Sequence, residues 1–162
     1  MELLSRITNI FALKYVFLPL LLTFIMSQIL YQTATKEKFT VITIENKELL
    51  SNLVTELDNL TTKLGNTAPN NLILNLKLVQ NWDEAIIEQI AKSQGQFYEQ
   101  NTSFVVCALS DQLQDILDKT DYADLLNMTP TESEAWDIVQ MEEIERELLD
   151  SDDMEFSLPN ED

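Results

Sequence analysis

The run Asn81-Trp82-Asp83-Glu84-Ala85-Ile86-Ile87 sets two carboxylates and an indole just after the apolar stretch Leu72-Ile73-Leu74-Asn75-Leu76. A strand that leads through a short loop into a helix is where many α/β proteins keep their working residues. Acids at such a point can cap orphan backbone N–H groups, complement the helix dipole, or offer negative charge to a partner. They have no nucleophile to serve. The chain contains no histidine and one cysteine, which removes Ser-His-Asp and Cys-His arrangements, a tetrahedral zinc set and an internal disulfide. Cys107 lies inside Phe104-Val105-Val106-Cys107-Ala108, where a buried small hydrophobe is expected rather than a reactive thiol. With glycine only at positions 65 and 95, no phosphate-cradling loop can be built. The sequence therefore predicts no catalytic residue, no metal site and no cofactor. It points to a protein that binds rather than reacts.

Charge narrows the class of partner. Ten Lys+Arg oppose 28 Asp+Glu in 162 residues, for a formal charge of −18. From residue 101 onward the only bases are Lys119 and Arg146. Nucleic-acid binding needs a cationic footprint to displace counterions, so the balance argues against DNA or RNA and toward a basic protein partner, or merely high solubility.

The elements that must position the acidic junction follow from periodicity. Ile29 to Ala34 reads as a first strand and Phe39 to Ile44 as a second, β-branched and alternating. Leu49, Leu50, Leu53, Val54, Leu57, Leu60 and Leu64 recur at helical steps, and Gly65 stands where a left-handed C-cap belongs. Residues 66–70 form a turn by composition. Leu72 to Leu76 scarcely alternates, as expected of a strand covered on both faces. Asn81-x-x-Glu84 resembles a capping box opening a helix whose inner side carries Ile86, Ile87, Ile90, Ala91 and Phe97. Ser103 to Ala108 is a further buried strand. Ser110 caps a short helix with Leu113, Ile116 and Leu117 inward, and "LLNM" is a candidate edge strand. Thr129-Pro130-x-Glu132 opens a last helix with Trp136, Val139, Met141, Ile144 and Leu148 on its apolar stripe. The order β-β-α-β-α-β-α-(β)-α predicts an α/β domain with a mixed, mostly parallel sheet of four to five strands flanked by helices.

Three segments are expected: an apolar N-terminal stretch over 1–27, one domain over 28–149, and an acidic disordered tail over 150–162. The run "YVFLPLLLTFIM" falls short of the roughly 20 apolar residues a bilayer requires unless it annexes the first strand. Three readings of it are open: an inner-membrane anchor with the domain in the cytoplasm, a targeting segment, or an over-extended start whose true initiator is Met26 in a cytoplasmic protein.

"NLILNLKLVQNWDEAII", followed by "FVVCALSDQLQDILDKTDYADLLNMTPTESEA", resembles the STAS domain of anti-sigma factor antagonists, across Asn71 to Glu147 and back to about Ile29. The C-terminal "TPTESEAWDIVQMEEIEREL" resembles the versions found in Bacteroidetes. Asn75 takes the place of the first Asp of the family's central strand, Val79 matches its Val, and Asp83 matches the Asp of its Asp-Ser-Ser-Gly motif. Glu84, Ala85 and Ile86 stand where the Ser, Ser and Gly would be, and Ile87 where the next Leu would be. In the family, the second Ser is phosphorylated by a partner kinase that is itself the anti-sigma factor, and phosphorylation releases the antagonist. Ala85 has no hydroxyl, so the resemblance implies a STAS-like fold and a protein-binding role in which that phosphorylation site is missing. The implied partner is a serine kinase-type anti-sigma factor or related regulator, with transcription affected indirectly by partner switching. The expected contact surface is Trp82, Asp83, Glu84, Ala85, Ile86, Glu88 and Gln89. The plainer alternatives are that Asp83 and Glu84 only cap the helix, and that Trp82 only seals the loop. A rival from another class is a structural subunit of a membrane-associated or signalling complex.

Overall fold

A computed structural model describes residues 17–22 and 28–152. Most of the expected N-terminal segment, and residues 153–162 of the expected tail, lie outside the described residues. Among the described residues no helix is long and apolar enough to cross a membrane.

Seven strands and four α-helices follow in order: β1 (Tyr31–Thr35), β2 (Phe39–Ile44), β3 (Glu48–Leu49), α1 (Val54–Gly65), β4 (Asn71–Asn75), β5 (Asn81–Trp82), α2 (Glu84–Glu99), β6 (Phe104–Cys107), α3 (Asp111–Leu117), β7 (Met128–Thr129) and α4 (Glu132–Asp152). A separate short helical stretch occupies 17–22. The main sheet has the order β1-β2-β4-β6-β7. β1 is antiparallel to β2 and the remaining pairs are parallel, which is the mixed five-stranded sheet the alternation of elements predicts. β3 and β5 form a second, two-stranded parallel ladder.

The weak alternation of the central strands has the expected cause. Leu72, Leu74, Phe104 and Val106 face α1, α2 and α3 in one buried cluster. Ile73, Val105 and Cys107 point the other way, against Ala135, Val139 and half-buried Trp136 of α4. With both faces covered, every residue of β4 and β6 is buried.

Several sequence-based boundaries shift. Leu49 and Leu50 are not helical, because Glu48–Leu49 is drawn into the ladder with Asn81–Trp82 and a 3₁₀ turn, Ser51–Leu53, intervenes. Only Met128 of "LLNM" enters a strand. Gly65 is the last residue of α1 rather than a left-handed cap, and no glycine has positive φ. Its role is close approach. A Cβ there would stand 2.7 Å from Cζ of Phe97, whose ring packs 5.1 Å from that of Phe104.

The last helix departs most. Val139 is buried as expected and Ala135 joins it, but Met141, Ile144 and Leu148 are 61%, 52% and 60% exposed. The inner face of those turns is given to polar groups instead. Arg146 donates to Glu143 (2.7 Å), to the Ser103 hydroxyl (3.0 Å) and to Asn71 Oδ1 (3.2 Å). Ser103 also donates to Glu142. The buried Ser103 hydroxyl at the sheet's end would be left unsatisfied by an apolar helix face, whereas buried Asn71 also donates to the Lys38 carbonyl and accepts from the Ser103 N–H. The helix rotates its charges inward to meet them. The guanidinium also holds the Glu143 carboxyl below the ordinary carboxylate range.

Because the Phe97 ring cannot yield without disturbing Phe104, Gly65→Ala should lower stability by about 1–2 kcal/mol in urea unfolding despite alanine's better helix propensity. Adding Phe97→Leu should recover part of that loss in a double-mutant cycle, whereas simple additivity would refute the contact.

Candidate partner-binding site

The acidic junction is built on the small ladder. Asn81 and Trp82 are held extended beside Glu48 and Leu49, so Asn81 cannot serve as helix cap and the expected capping box does not form. Asp83 takes that place, with an extended backbone (φ −107°, ψ 169°). Its Oδ1 accepts from the Ile86 N–H at 3.1 Å, and its Oδ2 accepts from the Ser51 N–H at 2.6 Å. One carboxylate thus satisfies orphan donors at two separate chain starts, those of α2 and of the 3₁₀ turn leading into α1.

The seven residues expected to form the contact surface separate by burial. Trp82, Ile86 and Gln89 are 2%, 0% and 6% exposed, which corrects their assignment as surface contacts. Each has an inward duty. The Trp82 indole N–H donates to the Leu113 carbonyl (3.2 Å) and ties β5 to α3. Ile86 belongs to the main core cluster. The Gln89 amide donates to Asp58 Oδ1 (2.8 Å), joining α2 to α1. The sequence offered a signal for the first two, since Trp82 and Ile86 are large apolar groups beside a strand. For Gln89 it offered none.

Asp83 and Ala85 are half-buried, and Glu84 and Glu88 are exposed, one helical turn apart on α2. The accessible face is therefore Ala85 between two carboxylates. Glu84 and Glu88 make no hydrogen bond or ion pair with another described residue, whereas Asp83 spends both oxygens on backbone donors. A residue the sequence reading missed joins them. Tyr122 is half-buried on the core's margin, and its phenol is held above its ordinary pKa first by desolvation, then by the charges of Glu88 and Glu84. No spacing rule would have brought position 122 to this helix, because the two meet only through the fold.

Among the described residues no group of three or more acids and cysteines could hold a metal ion. Cys107 is buried between sheet and α4, and burial with the nearby Glu132 charge pushes its thiol up to about 12.

Asp83→Ala should cost roughly 1–3 kcal/mol of stability, since two donors lose their acceptor, while Asp83→Asn, which keeps one acceptor oxygen and turns an NH2 toward the other donor, should restore only part of the loss. An Asn variant as stable as wild type in denaturant titration would refute the double cap. Cys107 should resist aromatic disulfide reagents in native protein at pH 8 and react promptly once unfolded, as followed by thionitrobenzoate release.

Known proteins with this arrangement agree with the resemblance. The family model described as STAS domain matches residues 28–135. An anti-sigma factor antagonist from Mycobacterium paratuberculosis superposes with a TM-score of 0.59 at 17% identity, over 70% of this chain and 96% of that one. An anti-sigma-factor antagonist (STAS) domain protein from Planctomyces limnophilus gives 0.55 at 18% identity, over 65% and 92%. The murine Slc26a9 anion transporter gives 0.57 at 14% identity, over 76% of this chain but 24% of that larger one. No curated protein matches the chain by sequence. The family model's match over residues 28–135, together with the two-faced mixed sheet, places this chain in the STAS domain family.

Proposed function

We propose that this chain is a non-catalytic, cytoplasmic protein-binding regulator that engages its partner through the first two turns of α2, without a phosphorylation toggle at position 85. The partner is a serine kinase-type anti-sigma factor or a related regulator, and any effect on transcription passes through it. One observation carries the reading. Ala85 stands half-buried in the first turn of α2, where the family resemblance puts the phosphoacceptor, between exposed Glu84 and Glu88. A phosphate ester cannot form on a methyl group. The surrounding carboxylates suit a partner that brings Lys or Arg, and such pairs at an interface govern specificity and association rate.

Burial decides how the reading is tested. Restoring the whole family motif would require Ile86→Gly, which empties a fully buried core position and costs stability for reasons unrelated to binding. Ala85→Ser alone leaves the core intact. Incubated with Mg-ATP and a serine kinase-type anti-sigma factor that accepts intact relatives, Ala85→Ser should gain one phosphate by intact mass, and wild type none at this helix. Failure of the Ala85→Ser variant to be modified would overturn the assignment of the phosphoacceptor position. Separately, Glu84→Lys with Glu88→Lys should weaken capture of the partner from the native organism by about tenfold or more, with thermal stability little changed. Undiminished capture would move the interface away from α2.

A further inference from the structure

The two margins of the main sheet differ. β7 spans two residues, and Pro130 follows it, so that margin offers almost no free backbone. β1 is five residues long and exposed along its whole length. Its ladder with β2 runs unbroken from Tyr31↔Ile44 to Thr35↔Thr40, so no bulge turns the edge away. Natural edge strands are commonly blunted by charge, proline, bulges or short length, and the sequence Tyr-Gln-Thr-Ala-Thr contains none of these devices.

The phase of the ladder shows which backbone groups are free. The Glu45 N–H donates to the Leu30 carbonyl (2.8 Å) and the Lys36 N–H donates to the Phe39 carbonyl (2.8 Å). In an antiparallel pair alternate residues bond across, so Gln32 and Ala34 address β2 while Tyr31, Thr33 and Thr35 turn their N–H and C=O groups outward. No described strand meets them.

We propose that this edge is an interface with a second copy of the chain, the two β1 strands pairing antiparallel about a two-fold axis at Thr33. That register uses all three outward residues of each copy, matching Tyr31 with Thr35 and Thr33 with itself. Tyr–Thr and Thr–Thr neighbours are favourable cross-strand pairs, and Gln32 meets Ala34 on the opposite face, so no like charges confront one another. The symmetry also sets Lys36 of each copy opposite Leu30 of the other, and Leu30 itself lies beside Glu45, the residue that follows β2. Period-two alternation puts Lys36, Leu30 and Glu45 on one face. Among the described residues Lys36 has no carboxylate partner, its ammonium standing 5.4 Å from the Trp136 ring centre. Two Lys36–Glu45 approaches per dimer give opposite charges at the seam of a chain whose formal charge is otherwise −18. The product is one continuous ten-stranded sheet with an isologous interface. It leaves the α2 surface clear and does not depend on the proposed partner.

Sedimentation equilibrium of the full chain should show a reversible dimer. Opposed Thr33 residues would have Cα atoms about 5.5 Å apart, within disulfide reach. Thr33→Cys should therefore form a covalent dimer under mild oxidation far faster than Tyr98→Cys, which is 85% exposed on α2. Native Cys107 is buried and does not compete. Thr33→Pro removes only an outward N–H and should weaken the dimer at least tenfold while the circular-dichroism melt stays close to wild type. Three results would each overturn the proposal: a chain that is monomeric throughout, as when its own N-terminal residues cover the edge; a Thr33→Cys variant that cross-links no faster than the Tyr98→Cys control; or a dimer that survives Thr33→Pro unchanged.

Discussion

The carboxylate of Asp83 holds the working end of this domain together. A helix start leaves donors that its own backbone cannot satisfy, and two such starts converge here. Were each capped by its own residue, β3 and β5 could drift apart. Because one side chain serves both, the position of α2 is coupled to the approach to α1. The exposed acids of α2 then occupy defined places relative to the sheet. They stand on a helix rather than on a loop.

The sheet imposes the second constraint. Burying β4 and β6 on both faces demands one layer of helices on each side, and the chain divides them unevenly. Three helices cover one face. Among the described residues α4 alone covers the other, and it does so with an apolar first half and a polar second half. The buried Ser103 hydroxyl explains the change, since Glu142 and Arg146 satisfy it, while Arg146 and Glu143 add to the main-chain bonds that Asn71 already makes with Lys38 and Ser103. An unmet buried polar group costs more than an exposed leucine, so the leucines lose.

The chain has no histidine, one cysteine and two glycines, and it belongs to the STAS domain family. At the head of α2 stand the carboxylates of Asp83 and Glu84, and Ile86 points into the core, so its bulk adds nothing to the outer surface.

Periodicity and composition were enough to determine the α/β class, the order of the main elements, the double burial of Leu72–Leu76, a buried strand at Phe104–Cys107, and the burial of Cys107. Those properties depend on short-range spacing and on which residue types exist at all. The tertiary structure alone decided which member of the acidic junction caps and which is free. It also buried Trp82 and Gln89, brought Tyr122 to Glu84 and Glu88, and made Gly65 a point of contact with Phe97 instead of a turn. Each of these turns on groups at least thirty residues apart, or on a two-residue ladder too short to leave a pattern. A linear sequence records what a residue can do, whereas its neighbours across the fold determine which of those possibilities is used.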